Sequence, residues 1–161
     1  MLLRGDSTEM SKFNHILAAL LLCVAGLAAY GQDSPFKAEV KLAQTTVNNY
    51  EAFSVATAIR NTSTEEQTLD IWSCSYPTQW VSDVSSVHVN LVGCKKNDLL
   101  HIKLKPGEAC ERAVTIRIQL SPGDGKPESV TFLMGFKSAT FVTGQSNLPL
   151  WSNAVTVSVT K

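Results

Sequence analysis

The sequence predicts an all-β domain, an antiparallel sandwich of seven or eight strands, behind a cleavable export signal. Three observations carry the fold. From Phe36 onward apolar residues recur with period two, turn-forming clusters separate the runs, and no apolar stripe of useful length has helical spacing.

Residues 16 to 29 form an unbroken apolar run, Ile16 to Ala29. Fourteen residues in a helix span about 21 Å, short of the roughly 30 Å hydrocarbon core of a bilayer. Lys12 lies just upstream and small residues follow. This is the layout of a secretory signal peptide, with Ala29 and Gly31 as the small residues before the cut. The expected division is therefore residues 1–31 as signal peptide and residues 32–161 as one domain, secreted or periplasmic, with no stable membrane anchor after cleavage. Met10 begins a more typical signal than Met1 does. Cys23 does not mark a lipoprotein, because Leu22 precedes it where lipid attachment needs a small residue. The Arg4-Gly5-Asp6 tripeptide matches an integrin-binding motif, but it leaves with the signal.

The strands follow in order. A first is expected near Ala38 to Leu42. Phe53, Val55 and Ile59 mark the second, and Leu69 with Ile71 the third. Val87, Val89 and Leu91 mark the fourth, and Ile102 with Leu104 the fifth. The sixth is the clearest: Val114, Ile116, Ile118 and Leu120 alternate with Thr115, Arg117 and Gln119, as a half-buried strand requires. Val130, Phe132, Met134 and Phe136 form a seventh face, with Leu133 opposite. Val155, Val157 and Val159 form the last. Asn61 to Thr64, Lys105-Pro106-Gly107, Ser121 to Gly125 and Gly144 to Pro149 supply the turns between them.

Two fragments carry a resemblance. Ile59-Arg60-Asn61-Thr62-Ser63 closes the second strand, and Leu104-Lys105-Pro106-Gly107-Glu108 leads into a long core strand. Together they resemble bacterial immunoglobulin-like modules over most of residues 37–160, which implies an immunoglobulin-like sandwich. The stretch from Trp72 to Tyr76, with Trp80 and Cys94 to Asn97, is similar to exported bacterial proteins of no assigned activity. The chain departs from antibody-type domains in having no cysteine in the Phe53 strand, so their inter-sheet disulfide is missing.

Cys74, Cys94 and Cys110 remain after processing. In an oxidising compartment an odd count means one pair and one leftover, and three pairings are open. Cys74 with Cys94 is favoured because both sit in the loop-rich middle of the chain; closing that loop of about 20 residues contributes on the order of 3 kcal/mol. Cys110 shares parity with Val114 and reads as a small buried apolar residue.

Lys plus Arg equal Asp plus Glu at 14 each, so no charge excess points to nucleic acid or an anionic membrane. No cysteine and histidine spacing fits zinc, no dense oxygen run fits calcium, and no glycine-rich phosphate cradle is present. No metal or cofactor is expected. His88 and His101 sit on strand faces beside Asn90 and Lys103, which reads as solvated-face placement rather than half of a catalytic triad. Asn61-Thr62-Ser63 fits the N-glycosylation pattern, which matters only on a eukaryotic secretory route.

The aromatic cluster Trp72, Tyr76 and Trp80 is the best lead to function. Exposed, the three rings would stack on sugar or anchor a protein; alternatively they fill the core beside a disulfide. Trp151 reads as a core or edge plug. The expectation is a non-catalytic binding module for a protein or a glycan. A protease inhibitor of immunoglobulin-like fold and a carbohydrate-binding domain are the alternatives, and no constellation supports an enzyme.

Overall fold

The structure is a computed structural model, described for residues 34–91, 93–121, 128–139 and 148–160. The expected signal peptide lies outside these residues.

The domain is all-β. Its centre is a four-stranded antiparallel sheet in the order β1 (Phe36–Leu42), β3 (Ala52–Asn61), β8 (Ala109–Ile118) and β6 (Val87–Val89). Strict alternation builds it. Val55, Ile59, Val114, Ile116 and Ile118 point inward, while Ser54, Ala56, Ala113 and Thr115 on the same strands face out. Three smaller sheets complete the described fold: β4 (Gln67–Trp72) with β7 (Leu99–Leu104); β5 (Trp80–Ser82) with β10 (Met134–Phe136) and β11 (Leu150–Trp151); and β2 (Thr46–Asn48) with β12 (Val155–Thr160) and β9 (Glu128–Phe132). Leu69, Ile71, Trp80, Phe132, Met134, Phe136, Val157 and Val159 from these sheets join the four-stranded sheet's inner residues in one buried core.

Three expectations need correction. The eight runs become twelve strands among the described residues, because β2, β5 and β11 are only two or three residues long and too short to show a period. The pairing is not wholly antiparallel, since β2 runs parallel to β12. Leu91 lies beyond the end of β6 and is 67 % exposed.

The run from Val130 to Phe136 also divides. Phe132 pairs with Val155 and Gly135 with Trp151, so Leu133 faces two residues, Asn153 and Ala154. This is a β-bulge, and it moves the hairpin from one sheet to the next. The bulge frees the Asn153 side chain, which accepts from the Val40 amide at 2.9 Å and donates to the Val40 carbonyl at 3.0 Å. It occupies backbone groups on the outer edge of β1 that would otherwise be open to pairing with another chain.

The fragments 61–63 and 104–108 meet in space. The Asn61 amide donates to the Glu108 carbonyl at 2.9 Å, and the Gly107 amide donates to the Asn61 carbonyl at 2.9 Å. Asn61 Nδ2 donates to the carbonyls of Glu65 and Leu104, at 2.7 and 2.8 Å. Gly107 has a φ of 80°, a left-handed conformation that glycine adopts without penalty. Asn61 is fully buried and its amide nitrogen is engaged twice, so it is not an accessible glycan acceptor.

Candidate functional site

The segment from Trp72 to Leu99 departs from regular alternation, and its chemistry explains why. Leu69 and Ile71 turn inward, which sends Asp70 and Trp72 outward along β4. The period then changes. Pro77 opens a single 3₁₀ turn, Tyr76–Gln79, in which residues three apart eclipse one another. Tyr76 and Gln79 therefore face the same way, into the protein, and both are buried.

The exposed three-ring patch is thus not formed. Tyr76 and Trp80 are each 2 % exposed, and only Trp72 stays half-buried at the surface. Trp80 packs against Phe136 with ring centroids 5.4 Å apart and meets Tyr76 edge-on at 6.2 Å. The Tyr76 hydroxyl lies 3.1 Å from Thr57 Oγ1, and the Arg112 guanidinium sits over its ring at 5.4 Å. Burial pushes the Tyr76 phenol up, and the hydrogen bond to Thr57 offsets part of that. These two rings belong to the core, the second of the two placements open from the sequence. Trp151 lies over Gly135 at the sheet edge, where a Cβ on Gly135 would come within 2.9 Å of its ring, and it remains 41 % exposed.

Cys74 and Cys94 are joined by a disulfide, with Cα atoms 6.0 Å apart. Cys110 is free and buried. The disulfide is not the only tie between these stretches. Asn97 Oδ1 accepts from the Cys74 and Ser75 amides at 3.2 and 3.0 Å, and its Nδ2 donates to Ser75 Oγ at 2.6 Å. The Asp98 amide donates to Ser73 Oγ at 2.9 Å, and the Ser73 amide donates to the Asp98 carbonyl at 2.9 Å. Gln79 anchors the inner side. Its Oε1 accepts from the Trp72 amide at 2.8 Å, and its Nε2 donates to the Lys137 carbonyl at 3.0 Å.

Trp72 lies across from Leu99, and the same outer face of β4 and β7 carries Asp70 opposite His101. His101 Nδ1 and Asp70 Oδ1 are 2.6 Å apart, beside the exposed Lys103–Glu66 pair at 3.8 Å. His88 and His101 are both exposed, as their strand parity predicts. Asn97 and Gln79 carry the local order, yet neither is assigned a role from the sequence. A polar residue within a few positions of a disulfide or a proline turn was the available signal.

No group of three or more histidine, cysteine or carboxylate side chains able to hold a metal occurs among the described residues. No helix among them is long and apolar enough to cross a membrane. No family model and no curated protein matches the sequence. This surface presents one half-buried amphipathic ring, one carboxylate–imidazole pair and a braced polar loop.

Proposed function

We propose that the protein is an exported, non-catalytic binding module on an immunoglobulin-like sandwich, engaging a protein partner through the disulfide-tied surface around Trp72. The observation that carries this reading is the bracing of residues 73–75 against 94–98. A covalent link and the Asn97, Ser73 and Ser75 hydrogen bonds order an exposed, irregular stretch that adds little to the apolar core. Holding a surface loop in one conformation lowers the entropy cost of binding, which is the physical use of such bracing. The disulfide is consistent with an oxidising compartment, and the short apolar run at residues 16–29 supports export.

A protein partner is favoured over a glycan. Burial of Tyr76 and Trp80 leaves Trp72 alone, and half-buried, where a sugar platform calls for a broad exposed aromatic surface. The test is cross-linking to proteins of the matching exported fraction with Trp72→Ala and a Thr156→Ala control on β12. The reading expects the captured species to weaken by a factor of ten or more with Trp72→Ala, the range of an aromatic anchor at about 2 kcal/mol, and to be unchanged in the control. Capture that is indifferent to Trp72 contradicts it.

A second reading has its own observation. Lys95 and Lys96 are exposed immediately after the disulfide-anchored Cys94, and Lys96 pairs with Asp98 at 3.5 Å. A braced loop that presents lysine suits inhibition of a protease cleaving after lysine. Titration of such a protease, with Lys95→Ala and Lys96→Ala as variants, tests this. Undiminished turnover at saturating protein removes it.

A further inference from the structure

We infer that the outer face of β6 and β8 holds a second site, which binds a carboxylate carried on an apolar group. It lies on a different sheet from Trp72 and does not depend on the reading above.

A shallow groove of about 730 Å³ runs along this face, lined by His88, Asn90, Leu91, Thr115, Arg117 and Gln119 among others. His88 stands directly across the ladder from Arg117. Arg117 Nη2 donates to Asn90 Oδ1 at 3.1 Å, which tethers one end of the guanidinium. Its Nε is buried and has no hydrogen-bond partner. Arg60, by contrast, is paired with Glu39 at 3.2 Å, whereas among the described residues no carboxylate lies within ion-pair distance of Arg117. Among the described residues, the lining of the groove contains no Asp or Glu, and Arg117 is its one permanent cation.

An arginine in that state is poised for an oxyanion. Its remaining N–H groups form a planar fork that matches a carboxylate, and charge-assisted hydrogen bonds of this kind are the strong ones. A buried N–H without an acceptor is costly, and an anion that draws the side chain round to it relieves that cost. The charge balance selects among anions. One fixed positive charge matches a monoanion, while a phosphate dianion is left with uncompensated charge. Leu91 at the rim, 67 % exposed, offers the apolar contact. A carboxylate next to an aliphatic side chain, as at the C-terminus of a peptide ending in leucine, satisfies both features.

The experiment is an amide-detected NMR titration of the whole protein with N-acetyl-leucine, N-acetyl-leucinamide and inorganic phosphate in separate arms. Saturable shifts centred on His88, Leu91 and Arg117 are expected with N-acetyl-leucine alone. Arg117→Gln should weaken binding by at least about tenfold, the scale of one charged hydrogen bond. Leu91→Asn, a change at an exposed position that leaves the core untouched, should weaken it severalfold. Lys41→Gln, at the other end of the same sheet face, should leave it unchanged. Overturning results are no saturable shift with N-acetyl-leucine, an equal response to its amide, binding of phosphate alone, or undiminished binding by Leu91→Asn and a natively folded Arg117→Gln.

Discussion

The four-stranded sheet and the stretches 73–79 and 93–98 are held together by different means. In β3 and β8 alternation does most of the work: every second residue turns inward, most of these are apolar, the ladder satisfies the backbone, and Val55, Ile59, Val114, Ile116 and Ile118 are fully buried. Residues 73–79 and 93–98 belong to no strand. The backbone there is satisfied by Gln79, Asn97 and Ser73 side chains and tied by the Cys74–Cys94 disulfide. The difference teaches that burial specifies the frame of this domain, whereas individual polar contacts and one covalent bond specify its irregular surface. Each region should therefore fail in its own way.

The largest effect is expected in the frame. Ile116→Ala removes a fully buried side chain from the central strand pair and should cost about 2–5 kcal/mol, read as a lower denaturation midpoint. A loss below about 1 kcal/mol would show that the core closes over the gap and that burial there is not decisive. Next comes the disulfide. Replacing Cys74 and Cys94 by serine should cost on the order of 3 kcal/mol through the entropy of the unfolded chain. Asn61→Ala lies between the regions in character, a buried polar hub inside the frame. It orphans the Leu104 and Glu65 carbonyls and should cost about 1–3 kcal/mol.

The smallest effect is at the surface. Arg60 beside Glu39, by hydrogen bond and charge, holds the Glu39 carboxyl below the usual carboxylate range. A lowered value in the folded state means stability that is present above the pKa of the unfolded chain and lost as pH falls through the folded value. Glu39→Gln should therefore flatten the acid limb of the stability profile slightly, and salt should weaken the difference because the pair is only partly buried. An effect as large as that of Asn61→Ala would contradict the distinction drawn here.

The same division decides what could be read from the sequence. Strands β3, β8 and β12 declare themselves because a period of two over six or more residues is a strong signal. The pairing of Cys74 with Cys94 followed from their shared loop-rich setting. Tyr76 and Trp80 were legible only as two alternatives, since nothing in the residues stated that Pro77 would start a 3₁₀ turn and rotate Tyr76 inward. The bulge at Asn153 and Ala154 was hidden for a similar reason: it is a one-residue mismatch between strands, visible only once both partners are known. Asn97 and Gln79 work through backbone contacts distant in sequence, which composition and spacing do not encode.

The central claim is that the surface around Trp72 is ordered separately from the frame. Amide hydrogen exchange on the Cys74→Ser, Cys94→Ser variant tests it most directly. Protection should fall at residues 73–75 and 94–98 and persist in β3 and β8. Loss of protection in β3 and β8 to the same degree would show that the disulfide supports the whole fold and contradict the account.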